Sequence, residues 1–162
     1  MKRETRIKVT RPEHQFAAAH FLVEMGKCER LHGHNYAVTV EIGGEPGADH
    51  TLVDFNTLNP MISEVCASLD HKVLIAKNDK RMSLDIGAGE VEVRFGEKRY
   101  VIPREDCVML DVESTTVEKL AAYVCDRLAG ELENFENLKW IETGVSEGHA
   151  QMATSRRSMT KE

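Results

Sequence analysis

Polar and apolar residues alternate from Thr5 to Thr10 (Thr-Arg-Ile-Lys-Val-Thr), a period of two that predicts a strand with one buried face. The pattern resumes near Glu13 and runs through Phe16 toward His20, with Pro12 marking an edge or a bulge. Residues 21–31 are mixed and hold Gly26, so they read as a loop. Alternation returns over 34–43 (Tyr36, Val38, Val40, Ile42) and closes in the turn-rich Gly43-Gly44-Glu45-Pro46-Gly47. The short extended piece Thr51-Leu52-Val53-Asp54-Phe55 then leads into a helix over 56–69. There Leu58, Met61, Ile62, Val65, Cys66 and Leu69 recur at three- and four-residue spacing. Asp54 or Asn56 is its candidate N-cap, and Pro60 is expected in the first turn, where proline is tolerated. Asp70 and His71 follow the helix end.

Val91, Val93 and Phe95 alternate, Gly96-Glu97 turns, and Tyr100 and Ile102 alternate again, which predicts a two-stranded hairpin within 82–104. Ser114 or Thr115 is the expected cap of a second helix, whose apolar stripe is Val117, Leu120, Ala121, Val124 and Leu128. Leu138 to Val145 predicts a third strand that delivers Glu147. Gly148-His149 turns, and Ala150 to Arg156 returns as a fourth strand. Met159 to Glu162 is expected to fray. The order of elements predicts an α+β fold: an antiparallel four-stranded sheet with two helices on one face, plus the hairpin. The 162 residues are read as a single domain, 1–162. A sheet of this kind leaves both edges open.

Composition narrows the function. Hydrophobic residues make up 41% and charged residues 30%, a globular balance, and no apolar run approaches a membrane span of ~20 residues. A net charge of −6 without a basic stripe argues against nucleic acid as a partner. Lys27, Arg30 and Lys72 could still form a local anion patch. The basic first residues have no apolar stretch behind them, which argues against a secretory signal. Cys28, Cys66, Cys107 and Cys125 form no Cys-x-x-Cys pair, so free thiols in a reducing cytoplasm are expected. Cys66 and Cys125 fall in the helical stripes and read as core.

Cys28-Glu29-Arg30-Leu31-His32-Gly33-His34-Asn35 carries the candidate chemistry. On a strand, residues two apart share a face, so His32 and His34 aim two imidazoles at one point. His20 is the obvious third. Three histidines with an open position are the catalytic form of a zinc site, whereas a closed structural site usually recruits cysteines. Gly33 suits a close approach of backbone to metal or substrate. Cys28 is a candidate base if cationic neighbours lower its pKa, and Asp70 could orient His71 to poise it. A solvated His pair and a helix-end His are the plainer readings of these residues taken singly. A hydrolase of the His-Glu-x-x-His type is not indicated, because that motif is absent.

Phe-Ala-Ala-Ala-His (16–20), Cys-x-x-Leu-His-Gly-His-Asn (28–35), Val-Asp-Phe (53–55), Leu-Asp-His (69–71) and a late Glu147 followed by Ala153 occur in one order over most of the chain. Together they resemble the 6-pyruvoyl-tetrahydropterin synthase / 6-carboxytetrahydropterin synthase family. The resemblance implies the tunnelling fold, with units joined edge to edge into a trimeric barrel, two trimers stacked as a homohexamer, and active sites at subunit interfaces. It implies Zn2+ on His20, His32 and His34, Cys28 as general base, and Asp70 and His71 as its relay. It implies Glu147 as the pterin anchor, with Glu142 as a rival. Thr116 and Glu118 resemble the family's Thr-x-Glu at the second helix, where capping is the plainer role. Residues 78–110 are an insertion relative to the family pattern.

The implied substrate is 7,8-dihydroneopterin triphosphate, and the implied enzyme is a pterin lyase. One branch yields 6-pyruvoyl-tetrahydropterin. Another also releases acetaldehyde and yields 6-carboxy-5,6,7,8-tetrahydropterin on the path to queuosine, which is the expectation here. A third yields 6-hydroxymethyldihydropterin for folate and places a Glu near the Cys position. Glu29, next to Cys28, resembles members credited with both activities. A silent pterin- or metal-binding module on the same fold is the reading from another class.

Overall fold

The structure is a computed structural model that describes residues 3–160. Its centre is β3 (His32–Gly44), a strand of 13 residues. One edge of β3 is lined by two shorter strands, β1 (Thr5–Val9) against 40–44 and β2 (Gln15–His20) against 32–37. The break between them is the Arg11–His14 turn, which holds Pro12, a residue with no N–H for a ladder. The His14 N–H donates to the Arg11 carbonyl (3.0 Å), and Val38 N–H donates to His14 O (2.8 Å), so β3 stays bonded through the gap.

The other edge of β3 pairs antiparallel with β9 (Leu138–Glu147), and β9 pairs with β10 (Met152–Ser158). The four expected antiparallel strands are therefore present, but the sheet is larger and mixed. β4 (Lys72–Ala76) adds parallel to β2, and β8 (Cys107–Leu110) adds parallel to β4. The sheet has seven strands in the order β10-β9-β3-β2-β4-β8, with β1 beside β3. β4 escapes a search for alternation because it is buried on both sides: Leu74 joins one apolar cluster and Ile75 another. Parallel strands read as continuous apolar runs for that reason.

Two helices cover one face, α1 (Phe55–Leu69) and α2 (Val117–Glu131). Asp54 caps α1 by accepting the Asn56 N–H at 2.8 Å. Pro60 lies in the second turn rather than the first and offers no N–H to the Asn56 carbonyl. Leu58, Ile62, Val65 and Leu69 of α1 and Leu120, Val124 and Leu128 of α2 are fully buried against Tyr36, Ile42 and Ile141 of the sheet. Each such side chain contributes roughly 1.5–3 kcal/mol of burial. The cap of α2 is Thr116, not Ser114 or Thr115.

The predicted hairpin is a three-stranded sheet. β6 (Glu90–Phe95) pairs with β7 (Lys98–Pro103) across Gly96-Glu97, and β5 (Ser83–Ile86) pairs with the other edge of β6. Gly96 has φ +55° at the first turn position, which a type II′ hairpin requires. Val91, Val93 and Phe95 pack on Phe21, Val23, Ile75 and Cys107 as a second apolar cluster. At the C-terminus Met159 is bonded, its N–H to Lys139 O at 2.8 Å, and packs on the core. Of the stretch expected to fray, Lys161 and Glu162 lie outside the described residues. None of the described helices is long and apolar enough to cross a membrane.

Candidate functional site

The register of β2 and β3 sets His20 directly opposite His32. His34 and Tyr36 follow at alternate positions on the same, helix-covered face. The three imidazoles meet edge to face, with centroids 4.6 Å (His20–His32), 5.3 Å (His20–His34) and 4.9 Å (His32–His34) apart.

The tautomers follow from the partners. His20 Nδ1 lies 3.0 Å from the Thr115 carbonyl and 3.1 Å from Thr115 Oγ1. His32 Nδ1 lies 2.5 Å from the Arg30 carbonyl. A carbonyl only accepts, so each Nδ1 carries the hydrogen and each Nε2 presents a lone pair. Those two Nε2 atoms are 3.1 Å apart. His34 Nε2 is buried without a well-formed hydrogen bond, although Glu147 Oε1 stands 2.6 Å away. The ligand atoms of His20, His32, His34 and Glu147 all lie within 4.8 Å of one another.

Burial, followed by the positive charge His32 can carry, pushes the His20 pKa down to about 4. A neutral imidazole is the form a metal ion binds. Converging lone pairs and an adjacent carboxylate repel one another unless a cation lies between them, so this donor set fits a divalent metal. The Tyr36 hydroxyl, 3.3 Å from His20 Nδ1, closes the inner wall. Burial, then the Glu147 charge, raises its pKa and keeps it neutral.

Glu147 ends β9 opposite Tyr36 and faces the histidines. The sequence separates its role from the metal set, yet its carboxylate reaches the same cluster. Glu142, five residues earlier, points to the other face, where it opposes Glu41. Gly33 also faces away from the histidines. A Cβ there would sit 3.2 Å from the Ala18 carbonyl of the neighbouring strand, and Gly33 forms part of the open cleft wall.

Cys28 lies half-buried in a 3-10 turn, Gly26–Glu29, with a free thiol. Its carbonyl accepts the Leu22 N–H at 2.9 Å. Glu29 Oε2 accepts the Glu24 N–H at 2.8 Å, and Oε1 meets Lys98 Nζ at 3.0 Å. These contacts, the backbone N–H first, lower the Glu29 pKa.

Asp70 closes α1 and joins it to β2: Oδ1 accepts the Ala17 N–H (2.8 Å) and Oδ2 accepts from His71 Nδ1 (2.7 Å). Both bonds hold the Asp70 pKa down. The His71 N–H donates to the Ala17 carbonyl, and its ring is exposed. An open cleft of about 630 Å³ has His34, Asn35, His71 and Lys72 in its wall. Lys72 is engaged by the Glu105 carbonyl, while Lys27 and Arg30 are exposed.

The structure thus joins Asp70 to His71, as the sequence suggests, but among the described residues no hydrogen bond links either to Cys28. Cys28 is tied to Leu22 and His71 to Ala17, five residues apart in the chain. Thr116 Oγ1 accepts the Lys119 N–H at 3.5 Å, and Glu118 is exposed in the first turn of α2. Both do what helix capping and dipole compensation need. Thr115 is the residue that sequence reasoning missed. It is buried and holds His20, and a Ser-Thr-Thr run gives no signal of that beyond a helix cap.

Comparison with known proteins gives the family. A protein of Methanocaldococcus jannaschii provisionally assigned as a 6-carboxy-5,6,7,8-tetrahydropterin synthase is 35% identical over 88% of this chain and 90% of its own length. The 6-carboxy-5,6,7,8-tetrahydropterin synthase of Haemophilus influenzae is 30% identical over 72% of this chain and 78% of its own. The crystal structure of 6-pyruvoyl tetrahydropterin synthase from Plasmodium vivax superposes with a TM-score of 0.89 at 26% identity, over 97% of this chain and 99% of that one. A variant of the Plasmodium enzyme altered at a catalytic glutamate superposes at 0.90. The 6-pyruvoyl tetrahydropterin synthase profile matches residues 8–158. The chain belongs to the 6-pyruvoyl tetrahydropterin synthase family, whose enzymes are lyases acting on pterins.

Proposed function

We propose that this chain is a zinc-dependent lyase that converts 7,8-dihydroneopterin triphosphate and one water to 6-carboxy-5,6,7,8-tetrahydropterin, triphosphate and acetaldehyde, on the route to deazapurines such as queuosine. The observation that carries the reading is the convergence of three imidazoles and the Glu147 carboxylate within 4.8 Å. The names of the curated relatives support the product.

His20, His32 and His34 hold the zinc. When bound, it supplies Lewis acidity toward the side-chain hydroxyls of the pterin. Glu147, at the strand end beside it, accepts the ring N–H and amino group, a bidentate task suited to a carboxylate. Cys28 takes the substrate proton as a thiolate. Asp70 fixes the His71 tautomer through Nδ1, which leaves Nε2 free to exchange a proton with substrate or thiol. His71 is tied to Ala17 within β2 and Cys28 to Leu22 beyond its end, so we assign their meeting to two different chains. That suits a homohexamer built as a dimer of trimers. The four free thiols suit the cytoplasm.

A second reading has an observation of its own. Glu29 adjoins Cys28, and the Plasmodium enzyme works through a catalytic glutamate. A base at Glu29 would direct the same substrate to 6-hydroxymethyldihydropterin. Product identification separates the readings. Zinc-loaded protein is incubated with 7,8-dihydroneopterin triphosphate, and the pterins are read by mass spectrometry beside Cys28→Ala and Glu29→Ala. A carboxypterin that vanishes in Cys28→Ala supports the first reading, and a pyruvoyl product moves the chain to the sister branch. A hydroxymethyl product that vanishes in Glu29→Ala supports the second. No product from protein that still binds zinc and pterin leaves a silent binding module.

A further inference from the structure

The sheet of β5, β6 and β7 packs on the loop that carries Cys28 and Glu29, and together with Arg81 just before it grips that loop at both ends. At the start, the Phe21 ring stacks on Phe95 (5.0 Å) and Tyr100 (5.4 Å), and Val23 is buried in the same cluster. Arg81 reaches across to donate to the Val23 carbonyl at 2.9 Å, held flat by two bonds to the buried Asp79 carboxylate. At the far end, Lys98 meets Glu29 Oε1 at 3.0 Å while Glu29 Oε2 accepts the Glu24 N–H. Glu24 has φ +64°, an uncommon conformation for a residue with a side chain, so the bond to its amide fixes a turn that would otherwise relax. Each Glu29 oxygen therefore accepts one bond, from the loop amide and from Lys98.

We propose that the three-stranded sheet is the clamp of the Cys28 loop and that Lys98 is its positioning residue: it holds Glu29 as a loop brace, withholds that carboxylate from proton transfer, and so leaves the choice of product to Cys28. The inference rests on the pterin-lyase reading for its chemical half and on the contacts alone for its mechanical half.

The test compares wild type, Lys98→Met and Lys98→Arg as zinc-loaded protein. Met keeps an unbranched apolar side chain and removes the ammonium that meets Glu29 and stands 5.6 Å from the Phe95 ring centroid. Amide hydrogen exchange is followed over 21–31, and turnover of 7,8-dihydroneopterin triphosphate is resolved by product. In Lys98→Met, exchange at the Glu24 and Cys28 amides rises about threefold, the scale of one surface ion pair, while β3 and β9 are unmoved. The share of 6-hydroxymethyldihydropterin rises, kcat toward the carboxypterin falls with KM held, and Lys98→Arg restores all of these. Unchanged exchange over 21–31 overturns the clamp whatever the catalytic result. Faster exchange with an unchanged product ratio overturns the role of Lys98 in product choice. A wild type that makes no pterin product removes the chemical half together with the proposed function, and the exchange data still decide the clamp.

Discussion

His20 and His32 face each other across two antiparallel strands with their Nε2 atoms 3.1 Å apart, and both Nδ1 atoms are committed to carbonyl oxygens. Two lone pairs at that distance call for a cation. His32→Ala removes one donor without touching the buried core, since His32 is only half-buried. Its metal affinity should fall by more than the ~10–100-fold typical of outer-shell changes. Zinc content is read by elemental analysis after dialysis. One zinc retained per chain would take His32 out of the ligand set.

The same burial makes the metal-free protein sensitive to acid. His20 titrates near 6.5 when unfolded and at about 4 when folded, because burial disfavours its charged form. As pH falls through 6.5 the unfolded state takes up the proton first, so stability is full above that pH and declines toward 4. The difference corresponds to about 3 kcal/mol at roughly 1.4 kcal/mol per pKa unit. Chelator-stripped wild type should lose more stability between pH 7 and pH 4.5, by urea unfolding, than stripped His20→Gln. Parallel pH curves for the two proteins would show that His20 does not titrate this way.

Alternation along β3 was enough to foresee that His32 and His34 share a face, because a strand offers only two faces, whereas the place of His20 opposite His32 depends on the pairing of β2 with β3. The helix stripes were legible for the same reason. β4 was not, since a strand buried on both sides shows no alternation. The Arg11–His14 break was visible only as Pro12, and that β1 and β2 share one partner strand depends on long-range pairing. The grip of Lys98 on Glu29, and the support Thr115 gives His20, join residues 69 and 95 positions apart in the chain. No local pattern encodes such contacts.

Thr115 offers a direct test of that hidden support. Thr115→Val keeps the carbonyl that fixes the His20 tautomer but deletes the Oγ1 contact at 3.1 Å. Zinc affinity should fall about tenfold, the low end for an outer-shell partner. Stability without metal should fall by about 1 kcal/mol, the usual net worth of one hydrogen bond. Competition with a chromophoric chelator measures the first effect, and unchanged affinity would confine Thr115 to packing.

Glu147 and Glu142 separate the two faces of β9. Glu147 stands 2.6 Å from His34 Nε2, whereas Glu142 opposes Glu41 across the sheet. Replacing the Glu147 carboxylate by an amide removes the charge and one acceptor, so one pterin donor is left unmatched. A lost charge-assisted bond is worth about 1.5–3 kcal/mol, so Glu147→Gln should raise the pterin KM roughly 10–100-fold. Glu142→Gln should change it less than about twofold, as expected of a surface substitution. Zinc content must be read in the same samples. If Glu147→Gln loses pterin affinity and keeps zinc, the carboxylate serves the substrate. If both are lost together, Glu147 is a fourth ligand. A large KM effect in Glu142→Gln with none in Glu147→Gln would move the pterin to the other face of the sheet and overturn the assignment of this site.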